Sequence, residues 1–208
     1  MRVFLWWFIP IFLEIFPYFS YIKAMVTNLA RQAMTTNGQK ACLIIDHLVE
    51  ALANDASSSL RRAMILSVID LYPGTTQTGI MERLGLHKSA GNREVEWLFN
   101  YGCVMVADCD QDGRSKKIQI CGYSKAALDH ALSFVGGSHQ TLQELLIGLS
   151  RFLKQEKPTL REAKIISSLF EKKGAEKNEV IKDLYDGSPS TKNRVVNKLI
   201  EDGIISDG

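Results

Sequence analysis

Three consecutive pieces, TQTGIMERLGL (76–86), HKSAGNREVEWLFNYG (87–102) and CVMVADCDQDGRSKKIQICGYS (103–124), set the reading of the chain. In the first, apolar residues fall at Ile80, Leu84 and Leu86, the spacing of a short helix that ends at a Gly-Leu turn. The second opens with a polar turn rich in Ser and Lys and recovers apolar positions at Val95, Leu98 and Phe99. The third is an apolar run, a polar loop from Asp108 to Arg114, and a period-two strand carrying Ile118 and Ile120.

Helix, turn, helix and β-hairpin in that order is the winged helix-turn-helix plan, which presents one helix to the major groove of duplex DNA. Composition neither advertises nor forbids this. The 208 residues can bury a real core, and 46% hydrophobic with 23% charged residues is ordinary for a globular protein. A net charge of only +2 means that DNA contact must come from local patches on a nearly neutral body. Cys42, Cys103, Cys109 and Cys121 form no CxxC pair and have no His partners at metal-ligand spacing, so no metal site is expected. Free thiols fit a reducing, cytoplasmic setting, where they serve as small buried hydrophobes. Three of the four lie in or near the hairpin, which also permits redox sensing.

Residues 1–24 stand apart. VFLWWFIPIFLEIFPYFSYI (3–22) has one charge, Glu14, two prolines, Trp6 and Trp7, and five of the nine phenylalanines. Its length reaches a membrane span, but Pro10, Pro17 and Glu14 all count against one. Three readings stand: a membrane anchor, an extra packing element, and translated upstream sequence with the true start at Met25. The compositional break favours the third, and a membrane partner is expected only if 3–22 is an anchor.

From Lys40 to Asn54, Cys42, Ile45, Leu48, Val49 and Leu52 share one helical face. The linker DASSS can cap the next helix, Leu60 to Tyr72, which stops at Pro73-Gly74. After the hairpin, helices are expected over Ser124 to Val135 and Thr141 to Gln155. The chain then repeats itself. LRRAMILSVIDLYPG at Leu60 aligns with LREAKIISSLFEKKG at Leu160, displaced by one hundred residues. After one inserted residue, Ser89, Asn92, Arg93, Val95, Leu98 and Gly102 fall on Ser190, Asn193, Arg194, Val196, Leu199 and Gly203. Self-similarity at one period points to two copies of one unit. The expected fold is therefore mainly α with small β-hairpin wings, as two tandem winged helix-turn-helix units. Residues 25–137 form the first with its leading helix, and 138–208 the second with a truncated wing that begins as a strand at Ile204-Ile205.

Base edges and phosphates are reached from the first turn of the recognition helix. In copy one that turn holds Lys88, Ser89, Asn92 and Arg93 beside His87. In copy two it holds Ser190, Thr191, Lys192, Asn193 and Arg194, behind Ser188 as N-cap and Pro189 at the first helical position. The wing adds Arg114, Ser115, Lys116 and Lys117 for flanking phosphates or the minor groove. Asn can read adenine and Arg can read guanine.

Residues 60–135 resemble the MarR family of bacterial transcription regulators. The resemblance runs through TQTGIMERLGL, the Lys88-Ser89 turn, Gly102 and DQDGRSKKIQI, where Asp112, Arg114 and Ser115 match that family's D-x-R-S wing. It implies a dimer on a palindromic operator, responsive to small phenolic effectors or oxidants, with dimerisation helices at 40–54 and 124–155. Departures accompany it. Met105-Val106-Ala107 replaces an Arg pair, and the strand that usually ends Leu-Thr ends Ile120-Cys121. Gly91 and Glu94 stand at recognition-helix positions that the family keeps apolar, and one chain carries two units.

The foremost functional expectation is a sequence-specific duplex-DNA-binding transcription regulator. Its recognition helices would enter the major groove and its wing would rest on flanking backbone. A plasmid or phage replication or partition protein, or a tandem winged-helix interaction scaffold like the kleisin-binding subunits of bacterial condensin, are the alternatives. The Asn-Arg clusters and basic wing favour DNA over the scaffold. The chain has no Gly-rich phosphate loop, HExxH or nucleophile elbow, so neither an enzyme nor a cofactor is expected. His47, His87, His130 and His139 are read as exposed or capping residues.

Overall fold

The computed structural model describes residues 38–109, 116–171, 177–182 and 187–205. The readings of 1–24, of Asp112, Arg114 and Ser115, and of the end of the wing loop lie outside them. The order is α1 (38–51), α2 (Leu60–Leu71), β1 (Thr75–Thr76), α3 (Gln77–Leu84), α4 (Lys88–Asn100), β2 (Val104–Cys109) and β3 (Lys116–Ile120). Then come α5 (Gly122–Ser133), α6 (His139–Leu153), α7 (Leu160–Glu171), α8 (Lys177–Lys182) and α9 (Pro189–Glu201). The described residues are mainly helical with one small sheet. Among the described residues no helix is long and apolar enough to cross a membrane.

Helix starts follow their capping chemistry. Ser59, Thr76 and Ser188 accept from Arg62, Gly79 and Thr191 backbone N–H groups at the heads of α2, α3 and α9. Thr159 and Glu162 cap α7 reciprocally: Glu162 N–H donates to Thr159 Oγ1 at 3.3 Å and Thr159 N–H to the Glu162 carboxylate at 2.8 Å. The ends of α4 and α9 also match. Gly102 and Gly203 both take positive φ, and the next residue's N–H returns to Leu98 O and Leu199 O, each at 2.9 Å.

The sheet is antiparallel in the order β1-β3-β2. The expected hairpin is β2–β3, with Val104 opposite Ile120 and a bulge between Val106 and Asp108. β1 is an addition that pattern reading missed: Thr75 and Thr76 pair with Ile118 and Lys117. Two residues are too few to show a period. Ile118 is buried between its neighbours, while Lys116 and Lys117 on the same strand are exposed.

One expected strand is not formed. Ile204 and Ile205 bend back so that both N–H groups donate to Leu199 O, at 2.9 and 3.3 Å. The helix-ending turn consumes the backbone donors that a strand would need.

A single core draws on both halves of the chain, including Ile45, Leu48, Leu60, Leu66 and Leu98 with Leu142, Leu146, Leu160, Ile165 and Leu199. α2, α3 and α4 contact one another, and α7, α8 and α9 do likewise. α6 packs against α2 and also touches α7. α1 meets α7 through Lys164 and Asp46, and through Cys42 Sγ, 3.4 Å from Ser168 Oγ. Thus the leading helices α1 and α6, whose apolar faces the MarR resemblance assigned to dimerisation, are engaged within the chain.

Candidate nucleic-acid interface

α4 is positioned by two features that apolar patterning alone did not explain. Gly91 is buried under Met81 of α3, and a Cβ there would lie 1.7 Å from the Met81 sulfur. Any side chain at this position would have to push the Met81 thioether aside. Glu94 is buried as well, and Arg62 of α2 donates to it through Nε at 2.7 Å. The Arg62 guanidinium also lies 4.0 Å from the Trp97 ring centre, and Trp97 stacks on Tyr101. Gly91 and Glu94 are therefore internal contacts that hold α4 against α3 and α2.

The outward face of α4 then carries the expected residues. Lys88, Ser89 and Arg93 are exposed, and Asn92 is half-buried. His87 occupies the N-cap position without capping through its side chain; its Nδ1 lies 2.9 Å from Ser89 Oγ. Arg93 Nε donates to Ser89 O at 3.4 Å. Lys88 and Asn92 border a groove of about 340 Å³ between α3 and α4, with Gln77, Thr78 and Glu82 on its other wall. Gln77 and Thr78, not singled out from the sequence, line this groove as well. They stand at the start of α3, just after its Thr76 cap. Nearby, Arg83 lies 4.1 Å from the Tyr72 ring.

β3 packs on α3 and β2 on α4, so Lys116 and Lys117 belong to the same unit as Lys88 and Asn92. Arg114 and Ser115 lie outside the described residues.

In α9, Ser190 and Arg194 are exposed, and Thr191, Lys192 and Asn193 are half-buried. Ser188 Oγ lies 2.8 Å from Ser190 Oγ, repeating the His87–Ser89 contact one unit away. Asn193 Nδ2 donates to Pro189 O at 2.9 Å, which ties it to the first turn. Glu162 of α7 lies 3.6 Å from Lys198 of α9. Glu162 stands at the Arg62 position and Lys198 at the Trp97 position, so this ion pair is the counterpart of the Arg62–Trp97 contact. The Trp97 and Tyr101 positions become Lys198 and Asp202, and there a concavity of about 510 Å³ opens, floored by Leu153 and Ile204.

The histidines have structural partners. His47 stacks on His130 and Phe134, with ring centres 5.3 and 5.8 Å apart, and His139 Nε2 lies 2.9 Å from Asp70 Oδ2. Among the described residues no group of three or more His, Cys, Asp or Glu side chains could hold a metal ion. Burial pushes the Cys42 and Cys103 thiols above their ordinary range, so little thiolate forms at neutral pH.

No protein-family model, curated protein or solved structure matches the chain.

Proposed function

We propose that the chain is a duplex-DNA-binding transcription regulator of MarR-like kind, built as two tandem helix-turn-helix units of which the first carries the wing. The observation that carries this reading is the outward first turn of α4, with Lys88, Ser89, Asn92 and Arg93, on the same unit as the exposed Lys116 and Lys117. The matching turn at Ser190 to Arg194 supports it, because two solvated surfaces have no reason to share Asn-Arg at corresponding positions. Phosphate contacts by a few placed cations supply affinity, and Asn and Arg supply base discrimination. By the resemblance, Arg114 and Ser115 would add contacts to the flanking backbone.

The test is fluorescence anisotropy of the full chain on a labelled duplex across a salt series. Affinity should fall steeply with salt, and Arg114→Ala with Lys117→Ala should reduce the log–log slope by roughly one per residue. Binding that is absent or indifferent to salt sinks the reading in favour of the interaction scaffold.

A further inference from the structure

Ser59 and Thr159, one hundred residues apart, form an antiparallel bridge with each other. Leu60 N–H donates to Pro158 O and Leu160 N–H donates to Ser58 O, both at 2.9 Å. Shifting either bond by the repeat reproduces the other. A contact that maps onto itself when the two partners are exchanged marks a two-fold axis, the isologous arrangement of a symmetric dimer.

The helices around this bridge obey the same axis. α1 lies on α7 through Cys42–Ser168 and Asp46–Lys164. α6 lies on α2 through Gln143 Nε2, which donates to Ser67 Oγ at 3.5 Å, and through His139–Asp70. The pair 42–168 shifts to 142–68, one residue along the same antiparallel register from the observed 143–67. At the far end, a Cβ on Gly38 would meet Glu171 N at 2.9 Å, which places the start of α1 on the end of α7 as His139 is placed on Asp70. Each half has lent its leading helix to the other.

We infer that one chain is a closed pseudo-dimer that occupies, alone, a duplex site of two inverted and unequal half-sites. The inference rests on the DNA-binding reading above and deepens it. Two reading helices related by a two-fold axis match only bases related by that axis, so α4 and α9 address an inverted repeat and not a direct one. The half-sites differ because the turns differ: α4 offers Lys88, Asn92 and Arg93 behind an uncapped His87, and α9 offers Thr191, Asn193 and Arg194 behind a capping Ser188. Stoichiometry is set by closure. The apolar stripes that would recruit a second chain are spent on the exchange inside the first.

The experiment selects the full chain on a pool of random-sequence duplex DNA and then weighs the complex with the enriched duplex by native mass spectrometry. The expected result is one chain per duplex and two dissimilar motifs in inverted orientation. Asn193→Ala with Arg194→Ala should erase one motif and weaken binding roughly tenfold to a hundredfold. Asn92→Ala with Arg93→Ala should erase the other. Salt-sensitive binding to a direct repeat, to a single motif, to no motif, or with two chains per duplex overturns the inference and leaves duplex binding standing. Absence of any duplex binding overturns both.

Discussion

Glu94 is a carboxylate on the inward face of α4, tolerated because Arg62 meets it with a short charge-assisted hydrogen bond. Removing the cation alone leaves a buried charge unpaired. Arg62→Ala should therefore lower the unfolding free energy by about 3–5 kcal/mol in urea titration. Arg62→Met combined with Glu94→Leu should recover most of that loss. If the single variant costs little, the pair does not position α4. Gly91 makes the complementary case. Gly91→Leu places an apolar side chain on the inward face yet must displace Met81, so it should destabilise by about 1–3 kcal/mol. The thiols give a pH test. Burial raises the Cys42 and Cys103 pKa values, so the neutral thiols favour the fold, and that contribution is lost as pH rises into and beyond the alkaline range. Native protein at neutral pH should react with iodoacetamide at these two positions far more slowly than protein in urea. Stability should decline above about pH 8.5 by less in the Cys42→Ala, Cys103→Ala double variant.

The elements were legible to the extent that their signals were local. The apolar stripe of Cys42, Ile45, Leu48 and Leu52, the Pro73-Gly74 break, and the Ser188-Pro189 start each stand in a few consecutive residues, and each is where the structure has it. α4 and α9 differ in their caps. Ser188→Ala should cost α9 about 1 kcal/mol, read as a lowered midpoint in thermal unfolding. His87→Ala, whose side chain makes no cap bond, should cost α4 less. Equal effects would mean that the caps do not distinguish the two starts. β1 and the false strand at Ile204-Ile205 escaped local reading for one reason: a strand exists only through its partner. β3 was there to pair with Thr75-Thr76, whereas Ile204 and Ile205 had already given their N–H groups to Leu199. Gly91 and Glu94 read as flaws in α4 because Met81 and Arg62, which make sense of them, lie on other helices.

At the scale of the whole molecule, the contacts of α1 with α7 and of α6 with α2 join the N-terminal and C-terminal halves through one core, which predicts a single cooperative body. Calorimetry of the full chain should show one transition with equal calorimetric and van't Hoff enthalpies, where two independent units would give two. Gly38→Val should weaken this coupling by forcing α1 off the α7 backbone, lowering the midpoint without altering the α4 face.

The helices, their caps and the one-hundred-residue repeat were dictated by the order of residues alone, because periodicity and capping are written in neighbouring positions. The same order placed the Asn-Arg turns at matching points of the repeat. Which copy each leading helix would cover was settled only in three dimensions. Burial of an apolar stripe is non-directional, so the stripes on α1 and α6 state that they must be covered and not by what. The choice rests on the crossing at Ser59 and Thr159 and on the specific pairs Asp46–Lys164 and His139–Asp70. None of these is visible until the chain has folded back on itself.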